Sequence, residues 1–231
     1  MGEIRQQYHE ELESLEQTLM EVAARAEQMV GMAVSAIVTQ DPSLADQVIA
    51  LDNEIDAIYH EVHDRWVNVV ARQQPMAGDL RLLAALLQLN VTLERMGDQC
   101  VNISKLAKLS MGLPRNERIL AELQEMADLV RPMVRTAVQS FVRRDPDEAR
   151  LLPAMDEPID RLNRNMYREV VECGGDREML EWATRMMMVA RALERIGDQA
   201  VDIGEQAAFL TTGEFQEFDE EGLKAGDDRQ R

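Results

Sequence analysis

The chain has 231 residues and a formal net charge of −18, with 25 Lys and Arg against 43 Asp and Glu. That charge argues against direct nucleic-acid binding, because phosphate recognition needs clustered cations. An apolar fraction of 45% argues against a disordered chain, and 4% aromatics with few Gly and Pro argue against turn-rich β folds.

The N-terminus MGEIRQQYHEELESLE is acidic and lacks the apolar run of a signal peptide. The uncharged stretches 28–40 and 82–93 are both shorter than the roughly 20 residues a membrane span needs. Cys100 and Cys173 form no disulfide framework and no CxxC pair. A reducing, cytoplasmic setting is expected.

The pattern is helical almost throughout. Tyr8, Leu12, Leu15, Leu19, Val22, Ala26, Met29 and Ala33 alternate steps of four and three, which is a bundle-packing seam. This predicts a first helix ending at Thr39. Asp41 then caps a second helix with Pro42 in its first turn. The second helix is expected to reach about Arg72, before the Gln73–Gly78 break. A third is expected from near Asp79, a candidate N-cap, to about Ser110. Gly112, Leu113 and Pro114 end it.

The plan then repeats. Ile119, Leu123, Met126, Val130, Met133 and Ala137 form the same seam, with Pro132 expected to bend that helix. Asp145-Pro146 repeats Asp41-Pro42 at an offset of 104 residues. After the Cys173–Asp176 turn and cap the offset is 100, and LERMGDQCVNI at 93–103 matches LERIGDQAVDI at 193–203 at eight of eleven positions. The reading is an internal duplication: all-α, two tandem pseudo-symmetric three-helix bundles, residues 1–112 and 113–211. Residues 212–231 lose the seam, carry seven acids against three bases, and are expected to be a mobile acidic tail. Docking of Phe215 and Phe218 is the less favoured outcome.

Candidate chemistry lies in the repeats. Glu94 and Asp98 share a helix face, as do Glu194 and Asp198. On the preceding helices Asp52 and Asp56 are matched by Asp156 and Asp160. Like charges at this spacing cost roughly 0.2–0.5 kcal/mol per pair in an isolated helix. If the two helices of each half are neighbours, four carboxylates converge on one groove. A hard cation such as Mg, Ca, Mn or iron would turn that repulsion into attraction. Asn102 and Asp202 extend the stripe as outer or extra oxygen ligands. Arg95 and Arg195 stand beside the motif, so an ordinary ion-pair network remains open on the residues alone. Gly97 and Gly197 each cost about 1 kcal/mol in a helix relative to Ala and are read as points of close helix approach. His60, His63 and His9 are read as solvated, Cys100 and Cys173 as plain thiols, and Met186–Met188 as core. No GxGxxG, P-loop, GxSxG or HExxH motif is present.

The two LERxGD copies together with RQQPMAGDLRLL at 72–83 make the chain similar to the PhoU family, over about residues 3–212. The resemblance implies two pseudo-symmetric three-helix bundles and a multinuclear metal cluster, iron or else Mn, Mg or Zn, with no organic cofactor. It also implies a cytoplasmic negative regulator of the phosphate-starvation response. Its expected partners are the ATPase subunit of the phosphate ABC transporter and a membrane sensor kinase, with membrane contact only through partners. Homodimers and no catalysis are further expectations. The family's metal motif falls on Asp52, Asp56, Glu94, Asp98, Asp156, Asp160, Glu194 and Asp198, and all eight positions hold carboxylates. One departure stands out: Pro153 and Pro158 occur only in the second copy. They predict a kinked or restarted helix between Asp145 and Asp160, with Asp156 as a helix cap and a weaker or differently shaped second site. The alternatives are a metal-free helical scaffold and a carboxylate-bridged di-metal oxidase or phosphatase. No histidine follows Glu94 or Glu194 at the spacing ferritin-like oxidases use.

Overall fold

The computed structural model describes residues 2–218. These form α1 (Gly2–Thr39), α2 (Pro42–Gln73), α3 (Gly78–Leu109), α4 (Glu117–Arg143), α5 (Pro146–Ala149), α6 (Leu152–Glu172) and α7 (Arg177–Thr212). A 3-10 turn at Cys173–Gly175 joins α6 to α7. Among the described residues there is no strand.

Both predicted seams are core. Every seam residue from Tyr8 to Ala33 and from Ile119 to Ala137 is buried. The helix starts follow from side-chain caps. Asp41 accepts from the Ser43 N–H at 2.8 Å, Asp145 from Asp147 and Glu148 at 3.0 Å, and Asp176 from Glu178 at 2.9 Å. Asn116 caps α4 in the same way, accepting from Arg118 at 2.9 Å.

Asp79 is not a cap. The α3 helix starts at Gly78, preceded by Ala77 at φ 49°, and Asp79 lies inside the first turn. There its charge and burial push the Tyr8 hydroxyl up to about 12, burial being the larger cause. The duplication's second half does restart its helix as predicted, but at Leu152, where Pro153 sits in the first turn and needs no N–H partner. Pro158 lies within α6, and α4 runs unbroken through Pro132.

Helices α1, α2 and α3 pack on one another, as do α4, α6 and α7. The halves meet through α1 on α4 and α3 on α7. Both pairs are antiparallel. Glu27 meets Arg131 and Arg135 while Glu16 meets Arg144, so α4 rises as α1 falls. Arg185 donates to the Leu109 carbonyl, and Arg81 lies under Gly213 at the other end. The buried side chains of both halves form one connected cluster. This leaves α2 and α6 as outer helices, each laid along an inner one, and the grooves α2/α3 and α6/α7 hold the repeated carboxylates.

The C-terminal segment departs from the expected mobile tail. Gly213 closes α7 at φ 77°, with its N–H bonded to the Phe209 carbonyl at 2.8 Å. Phe215 lies edge-on to Phe209, at 6.4 Å between ring centroids. The Phe218 N–H donates to Glu205 Oε1 at 2.8 Å, and its ring packs on the core. The space beside Gly204 is filled by Leu152, whose Cδ1 lies where a Cβ would stand, and the Phe218 ring is in ordinary contact with that point at 3.5 Å. The rest of the predicted tail, 219–231, lies outside the described residues.

Candidate metal centre

Asp52 and Asp56 stand on α2 facing Glu94 and Asp98 on α3. Asn90 helps hold that pair together, donating from α3 to the Tyr59 carbonyl on α2 at 3.0 Å. Burial pushes the Asp52 carboxyl up to about 6, and Asp56, Asp98 and Glu94 add to the rise in that order. Glu94 is also raised, first by burial and then by Asp98 and Asp56, with Arg95 and His60 opposing. All four carboxylates of the first half therefore share one groove.

The second half repeats this. Asp156 is pushed up to about 7 by burial, then by Asp160, Asp198 and Glu194. Glu194, only 6% exposed, and Asp198 are raised as well, burial again leading. The predicted role of Asp156 as a helix cap is overturned. The helix begins four residues earlier, and Asp156 faces the groove as Asp52 does.

The glycines explain how the aspartates fit. A Cβ on Gly97 would lie 2.5 Å from Asp52 Oδ1, and one on Gly197 would press on Asp156 Oδ1 in the same way. Ile55 and Ile159 lie beside the two glycines in matching positions, 3.7 and 3.6 Å from those Cβ points. The sequence suggested helix contact at Gly97 and Gly197. The tighter partner of each is a carboxylate, so both glycines belong to the site.

The donor set fits a hard cation. Asp156 Oδ1 and Glu194 Oε2 are buried with no hydrogen-bond partner, and a buried acceptor left unpaired is costly. The neighbouring acids destabilise one another's charged forms, a penalty a divalent cation removes. Among the described residues no group of three or more His, Cys, Asp or Glu stands close enough together to hold a metal ion as the side chains are placed.

The two grooves differ in their cations. Arg164 contacts Asp160 at 3.3 Å and Glu157 at 2.8 Å, and Arg191 pairs with Glu194 Oε1. His60 occupies the Arg164 position in the first half, and Lys105 lies near enough to Asp52 to oppose its rise. The second groove opens as a cleft of roughly 410 Å³ lined by Pro153, Asp156, Asp160, Asp198, Asp202 and Phe218 among others. Asp202 is raised by partial desolvation and by Asp198, while Arg95 reaches it from the other half and opposes the rise. Asn102 is exposed one turn beyond Asp98. His63 lies 3.9 Å from Asp64 and is half exposed. Cys100 and Cys173 are buried free thiols, and burial raises the Cys100 thiol far above its usual range.

The family model "PhoU domain" matches residues 19–107 and 123–207, most of the chain and both halves of the duplication. The chain belongs to the PhoU family. PhoU relatives run nearly its full length. A phosphate-specific transport system accessory protein PhoU homolog of Pseudomonas putida is 33% identical over 91% of this chain and 82% of its own. One from Clostridium acetobutylicum is 28% identical over 90% and 96%. Among solved structures, PhoU of Pseudomonas aeruginosa superposes with a TM-score of 0.83 at 30% identity, over 90% of this chain and 100% of that one. The phosphate transport system regulatory protein PhoU of Streptococcus pneumoniae, at 24% identity and a TM-score of 0.81, shares the fold.

Proposed function

We propose that this PhoU-family chain is a cytoplasmic regulator of phosphate uptake and a negative regulator of the phosphate-starvation response. It acts as a metal-binding helical adaptor between the ATPase subunit of the phosphate ABC transporter and a membrane sensor kinase, as a homodimer. The names of its relatives support the transport role. The observation that carries the metal reading is the repeated Asp–Gly contact, Asp52 on Gly97 and Asp156 on Gly197, which sets a partly buried carboxylate among three others twice over.

Asp52, Asp56, Glu94 and Asp98 would hold one metal group, and Asp156, Asp160, Glu194 and Asp198 the other. Iron, Mn, Mg or Zn would supply positive charge that ties α2 to α3 and α6 to α7. The chain's own part is to bring four carboxylates to each groove and to keep room for the inner aspartate. The grooves lie along the outer helices, where a partner surface can read them. The adaptor reading needs no catalysis, and its contact with the membrane runs through partners; no described helix is long and apolar enough to cross one.

Affinity purification from cells grown in high and low phosphate tests the adaptor reading. The transporter ATPase and a sensor kinase are expected to co-purify, more with high phosphate. Recovery of neither under both conditions contradicts it. Oxygen consumption with ferrous iron would instead favour the di-metal oxidase.

A further inference from the structure

The segment that follows α7 forms part of the second carboxylate groove. Gly213 turns the chain off the helix at φ 77°, and the Glu214 N–H donates to Thr212 Oγ1 at 3.2 Å. Residues 214–217 are exposed, and Phe218 then tucks back, half-buried. With Pro153 and Val201, Phe218 supplies the apolar lining of a cleft that also carries Asp156, Asp160 and Asp198.

The hold on this segment is light. The hydrogen bond from the Phe218 N–H to Glu205 Oε1, at 2.8 Å, fixes its end. Phe215 meets Phe209 edge-on yet is 58% exposed. A short segment with little buried surface opens locally at far lower cost than a core helix. Gly213 already sits in the left-handed region that favours glycine, which suits it to be the hinge.

The duplication supplies an internal control. At the offset of 100, Ser104 and Lys105 stand where Gly204 and Glu205 meet Phe218. Lys105 is exposed where Glu205 is buried. The chain after α3 is committed to the turn into α4, with Asn116 capping that helix. A groove of this build therefore forms without such a segment, and the contact that seats it, on buried Glu205, occurs in the second copy.

We propose that residues 213–218 are a strap that gates the second groove: with Phe218 seated, a divalent cation enters and leaves slowly, and lifting the strap about Gly213 opens the way. The Phe218 ring carries no ligand atom, so seating it changes the rate of exchange and leaves the strength of binding alone. The strap rests on the metal-binding reading of that groove.

The test uses the full chain with one groove disabled. In Asp52→Ala with Asp98→Ala, zinc can occupy the second groove, and its release to a saturating chromogenic chelator is followed by stopped flow. Phe218→Ala in that background should release zinc about tenfold faster, as when a gate open a tenth of the time stands open throughout. The equilibrium affinity should not change. Phe215→Ala, on the exposed part of the strap, should give a smaller change in the same direction, and Phe218→Leu, which keeps most of the apolar contact, should stay close to the parent. In Asp156→Ala with Asp198→Ala, which leaves the first groove, Phe218→Ala should change nothing. Circular dichroism checks that each variant is folded. Release rates unchanged by both alanine variants overturn the strap and leave the metal reading standing. So does a loss of affinity that accounts for the whole change in rate, because Phe218 would then support the site and not gate it. A parent whose second groove binds no zinc overturns the metal reading there and the strap with it.

Discussion

Asp52 Oδ1 occupies the space that a Cβ on Gly97 would fill, 2.5 Å from that point, and Asp156 stands in the same relation to Gly197. A helix gives up about 1 kcal/mol at each glycine. What it gains is a carboxylate seated against the backbone of the next helix.

Gly97→Ala is therefore expected to separate stability from metal binding. The clashing atom is the end of a short, rotatable side chain, so Asp52 can swing away. Thermal unfolding should show a midpoint unchanged or slightly raised, since the helix recovers about 1 kcal/mol. Cation affinity at the first groove, measured by calorimetric titration, should fall about 10–100-fold, as for loss of a group that orients a ligand. Gly197→Ala should do the same to the second groove.

The raised carboxyls fix a pH dependence. Asp52 and Asp156 titrate at about 6 and about 7 in the fold against 3.8 when unperturbed. A raised carboxyl means the folded state binds more protons than the unfolded one, so stability falls as pH rises through those values. Metal-free protein should melt at a higher temperature at pH 5 than at pH 8. Saturating divalent cation should flatten that slope, and so should Asp52→Asn with Asp156→Asn.

The grooves should also differ in affinity. Arg164 and Arg191 already hold Asp160 and Glu194, whereas His60 stands where Arg164 would be in the first groove. Asp56→Ala should thus remove more bound metal than Asp160→Ala. Arg164→His should raise occupancy of the second groove by elemental analysis. Equal losses from the two alanine variants would show that the arginines do not compete.

The shared core predicts one unfolding event. Met133 is fully buried on the α4 seam, within the cluster that runs through both halves. Met133→Ala should cost about 2–5 kcal/mol and shift a single calorimetric transition. Two resolved transitions, with only one moved, would mean that the halves unfold separately.

Much of this was legible beforehand. The steps of three and four placed the α1 and α4 seams, and the Asp-Pro pairs placed two helix starts, because both rest on local geometry. The eight carboxylates were legible because the duplication repeats them. Three features were not. The seating of Asp156 depends on where α6 begins, and Pro153 rather than Pro158 decides that. The reason for Gly97 and Gly197 lies on the facing helix, outside any local pattern. The docking of Phe218 depends on Glu205, thirteen residues back along the chain.

The most direct test of the account is elemental analysis of the full chain after dialysis against iron and, separately, manganese. The wild type should retain metal. Asp52→Ala with Asp98→Ala should lose the first groove's share, Asp156→Ala with Asp198→Ala the second's, and the fourfold variant should hold none while remaining helical. A wild type that binds no metal, or a folded fourfold variant that binds as much as the wild type, would contradict it.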